Sequence, residues 1–390
     1  MEKKEKMEKS PRHRSNARAL TLAVIEILMK FSDKDHPMSC ADIVRKLAEY
    51  PYCSEEYDIR IGSSTRDTVK DILTDIERFY HAFGCIQCKT TEREYKNKEE
   101  INDYTYDYYY EKLFSDEEIQ MLIDDVIFSR MRTEEQAKIL ADKLKSMASD
   151  SFQKKYGSQI QIPDKQYTLN KEMEKNISMI RTAVIRNLGG TGKEAWIRFA
   201  FCGYGTDLQM HMKGKEFCVL PLRICEAYQN YYLICYMKNT NFLSHYRIDL
   251  MKDLKVIEKE AEKHPTKQNL INSLQQSNIS EYLSQHLYMY YESEKNKVKE
   301  IRLKVNKIRK YPSASMTFLQ DAFGRNWKTD PKTENDESVE VLVKCVPSAM
   351  LVFVRQHMRD VMVLAPEDVK NMVNDEIEKD LNEYIKKSKN

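Results

Sequence analysis

The chain of 390 residues contains no apolar run approaching the roughly 20 residues that cross a bilayer as a helix. Its opening, MEKKEKMEKSPRHRSNAR, lacks the apolar stretch of a secretory signal. A cytoplasmic protein with no membrane partner is expected. Catalytic constellations are missing too. An enzyme needs a nucleophile with its base, paired carboxylates or a metal cluster, and the eight histidines are scattered without spaced partners. No enzymatic activity and no cofactor are expected. Nine cysteines yield one close pair, Cys85 and Cys88, with no second CxxC or histidine pair beside it, so zinc is not expected and the thiols read as free. Excess charge is missing as well: the net is +2. The run Leu188-Gly189-Gly190-Thr191-Gly192-Lys193-Glu194 fails as a phosphate loop. Asn187 stands where the first glycine belongs, Glu194 replaces Ser/Thr, and a helix precedes it instead of a strand. A helix C-cap and turn account for it.

What is present is globular: 41% hydrophobic and 32% charged residues, a length that implies two to four domains. Residues 1–18 hold seven Lys/Arg against three Glu, a local net of +4, in a tail suited to tracking phosphates. Leu20, Val24, Ile27, Leu28 and Phe31 recur at helical spacing. Ser39 opens a second helix with Asp42 three residues on as its capping partner. A third begins near the N-cap Ser64, with Val69, Ile72, Leu73, Ile76 and Phe79 as its buried stripe. Its other face carries Arg66, Thr68, Lys70 and Thr74, with the hydroxyls of Ser63, Ser64 and Thr65 at its start. Such a helix can put its N-terminus and hydroxyls on phosphates and Arg or Lys on guanine edges in a major groove. An ordinary solvated face has the same composition. A hairpin follows, Cys85–Cys88 and Tyr104–Tyr108, around a loop of mixed charge.

Two helices come next, one capped by Ser115 with Ile119, Leu122, Ile123, Val126 and Ile127 inside, the other capped by Thr133 with Ala137, Ile139, Leu140 and Leu144 inside. After a loop over 149–169, Asn170 caps a long helix with Ile177, Ile180, Ala183 and Val184 on one face. Strands at Ala195–Phe199 and Asp207–Met212 lead to the stretch Val219–Ile257, in which Leu220–Cys225, Tyr231–Tyr236 and Leu243–Asp249 alternate as strands, with turns at Gln229-Asn230 and Lys238–Asn241. A small antiparallel barrel buries one face of such strands. On the other face basic groups, an acid and a tyrosine could converge. Beyond a connector rich in Asn, Gln and Ser, strands at Ile301–Val305, Val339–Val346 and Val361–Leu364, helices at Ser315–Phe323 and Pro347–His357, and a possible strand at Asn326–Lys328 fit a ferredoxin-like sandwich.

The ordered set Tyr231-Tyr232-Leu233 and Tyr246-Arg247-Ile248-Asp249-Leu250-Met251 resembles the WYL domain of bacterial transcription regulators, with Tyr231 for the usual tryptophan and Leu250 for the usual second arginine. Thr68-Val69-Lys70-Asp71 is similar to the third helix of those regulators, and Val363–Val369 to their C-terminal extension. The resemblance implies an α+β multidomain protein. Its parts are a basic tail (1–16), a winged helix-turn-helix (17–112), bracing helices (113–185), an Sm/SH3-like barrel (186–260), a helical connector (261–297) and a ferredoxin-like dimerisation or regulatory domain (298–390).

Its implied function is a ligand-responsive regulator that binds duplex operator DNA as a homodimer. The DNA contacts would be Ser63, Ser64, Thr65, Arg66, Thr68, Lys70 and Thr74. The barrel would sense a nucleotide or single-stranded nucleic-acid effector, with Arg247 as anion contact, Arg223 and His245 assisting, Tyr232 or Tyr204 stacking on a base, and Asp249 orienting Arg247. A salt-bridged wall, Arg247 with Asp249, is the purely structural alternative. The resemblance also allows an accessory factor that binds single-stranded RNA or DNA and modulates a CRISPR or other anti-phage system.

Overall fold

The computed structural model describes residues 17–49, 61, 65–79, 84–92, 104–148, 152, 168–189, 192–238, 240–261, 264–307 and 316–388. The basic tail, Ser63, Ser64 and the hairpin loop at 93–103 lie outside them. The chain is an α+β protein of two compact units, one of Met1–Phe128 with Glu135–Lys165, the other of Ser129–Glu134 with Gln166–Asn390.

In the first unit, α1 (Ala17–Phe31), α2 (Cys40–Glu49) and α3 (Thr65–Phe79) each turn an apolar stripe inward. Val24, Ile27, Leu28, Ile43, Leu47, Val69 and Leu73 meet Tyr108 and Tyr110 in one core. The tyrosines belong to β3 (Tyr104–Lys112), which lies between β1 (Met38–Ser39) and β2 (Gly84–Glu92) in an antiparallel sheet. The buried Ser32 ties helix to sheet: its hydroxyl donates to Leu28 O (2.7 Å) and accepts from Tyr110 N (3.0 Å). The Ser39 hydroxyl accepts from Asp42 N (3.2 Å), while the Asp42 carboxylate accepts from Ser39 N (3.2 Å), the reciprocal cap the sequence predicts. A second such box, Ser115 with Glu118, opens α4 (Asp116–Phe128). The helix α5 (Glu134–Lys145) departs from expectation. It buries Ala137 and Ala141 and leaves Ile139 51% exposed, so its inner face is the small-residue side.

The second unit opens with α6 (Met173–Leu188). Asn170, expected as its N-cap, lies ahead of the helix, and Glu172 flanks its first residue. Five antiparallel strands follow: β4 (Lys193–Tyr204), β5 (Met210–Ala227), β6 (Asn230–Met237), β7 (Leu243–Arg247) and β8 (Met251–Glu260). Their order is β7-β6-β5-β4-β8, so the last strand returns beside the first after a 3-10 turn, Ile248–Leu250. Both faces are covered. One packs Ile197, Phe199, Leu233 and Ile248 against Ile180 and Ala183 of α6. The other packs Leu220, Ile234 and Tyr236 under α7 (Pro265–Gln276) and α8 (Ile279–Gln285) through Leu274 and Tyr282. Lys267 fixes α7 to β4. Its buried ammonium reaches Glu194 Oε1 at 2.6 Å, and the Trp196 indole donates to Oε2 of the same carboxylate at 3.0 Å.

The remaining elements run β9 (Lys299–Asn306), α9 (Thr317–Phe323), β10 (Trp327–Asp330), β11 (Ser338–Cys345), α10 (Pro347–Gln356), β12 (Val361–Ala365) and α11 (Glu367–Ser388). Their four-stranded sheet has the order β10-β11-β9-β12. Ile301, Leu303, Val341 and Val343 bury against Phe353 and Val369. Among the described residues no helix is long and apolar enough to cross a membrane.

Candidate functional site

On α3, Arg66, Lys70 and Thr74 are exposed and spaced four apart, which puts them in one stripe along the helix. Thr68 is half-buried beside that stripe. Thr65 is 6% exposed, contrary to the expectation that its hydroxyl is offered outward. The Thr74 hydroxyl donates to Lys70 O (3.0 Å), so its proton is engaged with the helix backbone. Arg66 and Lys70 also act on Cys40 at the start of α2: burial pushes the thiol's pKa up, and the two cations oppose that rise. The projecting cationic part of this surface is the Arg66–Lys70 pair.

The second candidate site is built around Arg247, the last residue of β7. Asp249 sits in the following 3-10 turn with its side chain 4% exposed. Arg247 clamps it with two bonds, Nε to Oδ1 at 3.1 Å and Nη2 to Oδ2 at 2.7 Å, and Nη2 also donates to Asn230 Oδ1 at 3.0 Å. This partnership, led by the bond to Asp249, raises the guanidinium's pKa further still. Arg247 Nη1 makes no hydrogen bond to any described residue. The guanidinium is thus rigidly held, with one edge uncommitted and 36% of its side chain exposed. That is the state in which an arginine recognises a planar anion at low entropic cost.

Two tyrosines flank it. Tyr232 of β6 faces Arg247 across the ladder, and Tyr204, 46% exposed at the end of β4, lies within electrostatic reach of Arg247. Burial raises the Tyr232 phenol's pKa despite the nearby cation. Beside them Tyr228 stacks on Tyr288 with ring centroids 5.4 Å apart, and its hydroxyl accepts from Tyr288 N at 2.8 Å.

Sequence reading missed what holds this site. Asn230 is aimed by the tight turn before it, where Tyr228 and Gln229 adopt φ of 52° and 60°, a conformation that costs a residue with a Cβ roughly 1 kcal/mol. Asn230 Nδ2 donates back to Tyr228 O at 2.7 Å. The 3-10 turn carrying Asp249 is tethered by buried asparagines: Asn170 Nδ2 donates to Asp249 O (3.0 Å) and Met251 O (2.8 Å), and Asn176 Nδ2 to Met251 O (3.1 Å). Only the asparagine immediately after a turn carried any local signal.

Two expected members are elsewhere. His245 is half-buried and engaged by α8. Its Nδ1 lies 2.9 Å from Met289 O, which can only accept, and its Nε2 lies 2.7 Å from the Tyr282 hydroxyl. Burial pushes its pKa down to about 4, so at neutral pH the ring is uncharged, with its one proton on the Nδ1 that faces Met289 O. Neither nitrogen is left for a ligand. Arg223 lines a different cleft, between α6, β5 and α7.

No family model matches the chain, and no curated protein matches it. Two solved structures resemble it in part. Proteasome accessory factor B/C (PafBC) of Arthrobacter aurescens aligns over 94% of this chain at 14% identity and a TM-score of 0.25. This chain spans 54% of that protein's length. A CRISPR Cas-related protein aligns over 98% of this chain and 89% of its own, at 12% identity and a TM-score of 0.34.

Proposed function

We propose that the protein is a ligand-responsive transcription regulator. Its first unit, a winged helix-turn-helix, binds duplex operator DNA as a homodimer through the α3 stripe. Its barrel senses a nucleotide or single-stranded nucleic acid at Arg247. The carrying observation is the guanidinium clamped by a buried carboxylate, with Nη1 uncommitted and Tyr232 and Tyr204 beside it. One phosphate oxygen can take Nη1 while a base stacks on an exposed tyrosine ring. Arginine with aromatic faces is the pairing that single strands use. The helix-helix-helix-hairpin order of the first unit, with Arg66 and Lys70 outward on the third helix, supports duplex binding. The dimer would set the half-site spacing, and the third sheet with its helices is the element we assign to it.

The accessory reading shares the Arg247 site but has no use for the α3 stripe. Gel shifts on duplex from upstream of the gene and on single strands separate the two. A regulator retards its own upstream duplex at micromolar protein or below. Retention of single strands with indifference to that duplex would establish the accessory reading instead. Arg66→Ala and Lys70→Ala should each weaken duplex binding about tenfold or more, and Lys70→Ala should lower the salt slope by about one. Unchanged affinity in both variants would remove α3 from the interface.

A further inference from the structure

Arg223 lines a cleft of its own, apart from the Arg247 site. It is a space of about 340 Å³ between α6, β5 and α7, within the size range of small-molecule pockets. Apolar side chains, Val184 and Leu188 from α6, Leu222 from β5, Ile271 and Leu274 from α7, share its lining with the polar Asn187, Glu194, Arg223 and Gln275. Four consecutive residues of β5, Leu220 to Arg223, line it. A regular strand cannot do this, because successive side chains point to opposite faces. The register shifts between Pro221 and Arg223 against β6, and this bulge re-aims the strand so that Arg223 joins Leu222 at the cleft. Bulges are a recurrent means of turning a side chain toward a binding site.

The electrostatics are one-sided. Arg223 is half-buried and has no ion-pair or hydrogen-bond partner among the described residues. The one acid on the lining, Glu194, is already neutralised by the buried Lys267 ammonium and bonded by the Trp196 indole. Asn187 is also committed, its amide spanning Ala195 and Pro221 O. A cleft with an apolar side and one unpaired guanidinium on its lining complements a molecule with an apolar body and a single anionic head. The planar fork of arginine matches a carboxylate in two parallel bonds.

We infer that this cleft binds a small apolar carboxylate, its chain between α6 and α7 and its head on Arg223, independently of the Arg247 site.

Isothermal titration of the full chain with octanoate, and with 1-octanol as the uncharged control, tests it. Octanoate should bind one to one, at least about tenfold tighter than octanol, since the charge-assisted bonds to Arg223 belong to the acid alone. Arg223→Met keeps most of the stem's apolar surface and should reduce octanoate affinity to that of octanol. Ile271→Trp should fill the chamber and abolish both. Tyr204→Ala, at the other site, should leave octanoate binding unchanged. Equal affinity for acid and alcohol, unaltered binding by Arg223→Met, loss of binding in Tyr204→Ala, or no saturation up to millimolar octanoate would each overturn the assignment.

Discussion

Arg247→Ala is expected to lower the stability of the second unit by about 3 kcal/mol, as well as removing the proposed anion contact. The cause is the carboxylate left behind. Asp249 is buried, and two of the bonds that make its charge tolerable come from Arg247. Deleting one partner of a buried pair costs about 3–5 kcal/mol. The lower end applies because the Arg247 side chain is 36% exposed and water screens it. For a unit of this size the loss corresponds to roughly 6–12 °C in Tm. Both tryptophans of the chain, Trp196 and Trp327, lie in this unit, so their fluorescence follows its unfolding without signal from the first. The double variant Arg247→Ala with Asp249→Asn removes the orphaned charge and should recover more than half of the lost stability while still failing to bind nucleotide. A single variant of wild-type stability would mean that Asp249 is held by other groups. A double variant that regains binding would detach Arg247 from the ligand. The pair thus distinguishes a sensor arginine from a salt-bridged wall.

How much of this was legible depends on how far the deciding contact reaches along the chain. The apolar stripes of α1, α3 and α4 repeat within four residues, and the Ser39–Asp42 and Ser115–Glu118 boxes within three, so local pattern suffices for them. Arg247 and Asp249 are two residues apart, and their partnership was visible as an option. The turn at Tyr228-Gln229 was misplaced by one residue because neither position carries the Gly or Asn that normally marks left-handed backbone. The two short strands read on either side of Gly214 are one long strand, β5, in which that glycine takes φ of 72°. The fate of His245 was not legible. Alternation assigns it to a face, but α7 and α8, which cover that face, come from residues 265–285. The Asn170 tether to Asp249 spans 79 residues, and no sequence window contains both ends.

That histidine carries the other large expectation, an acid-sensitive five-stranded sheet. In the folded protein His245 titrates near 4, against about 6.5 for an exposed histidine. The unfolded chain therefore binds a proton between pH 6.5 and 4 that the folded chain refuses. Stability from this group is fully present above about pH 6.5, falls as the pH drops toward 4, and is level below that. The span corresponds to about 3 kcal/mol. His286, whose ring stacks on Tyr282 with centroids 4.1 Å apart, has its pKa lowered by burial too and adds in the same direction. The depressed carboxylates Asp207, Glu258 and Asp368 also favour the folded state at neutral pH, but their effect is lost at lower pH, around the carboxylate range, and they lie on the surface. Urea midpoints followed by tryptophan fluorescence should therefore decline from pH 7 to pH 4.5 in the wild type. In His245→Gln, which can still donate to Met289 O and accept from Tyr282, the decline should be clearly shallower, and in His245→Gln with His286→Gln shallower again. Parallel curves for wild type and His245→Gln would mean that the ring is protonated in the fold. Its Nε2–H would then donate to the Tyr282 hydroxyl oxygen, the direction of that bond reversed.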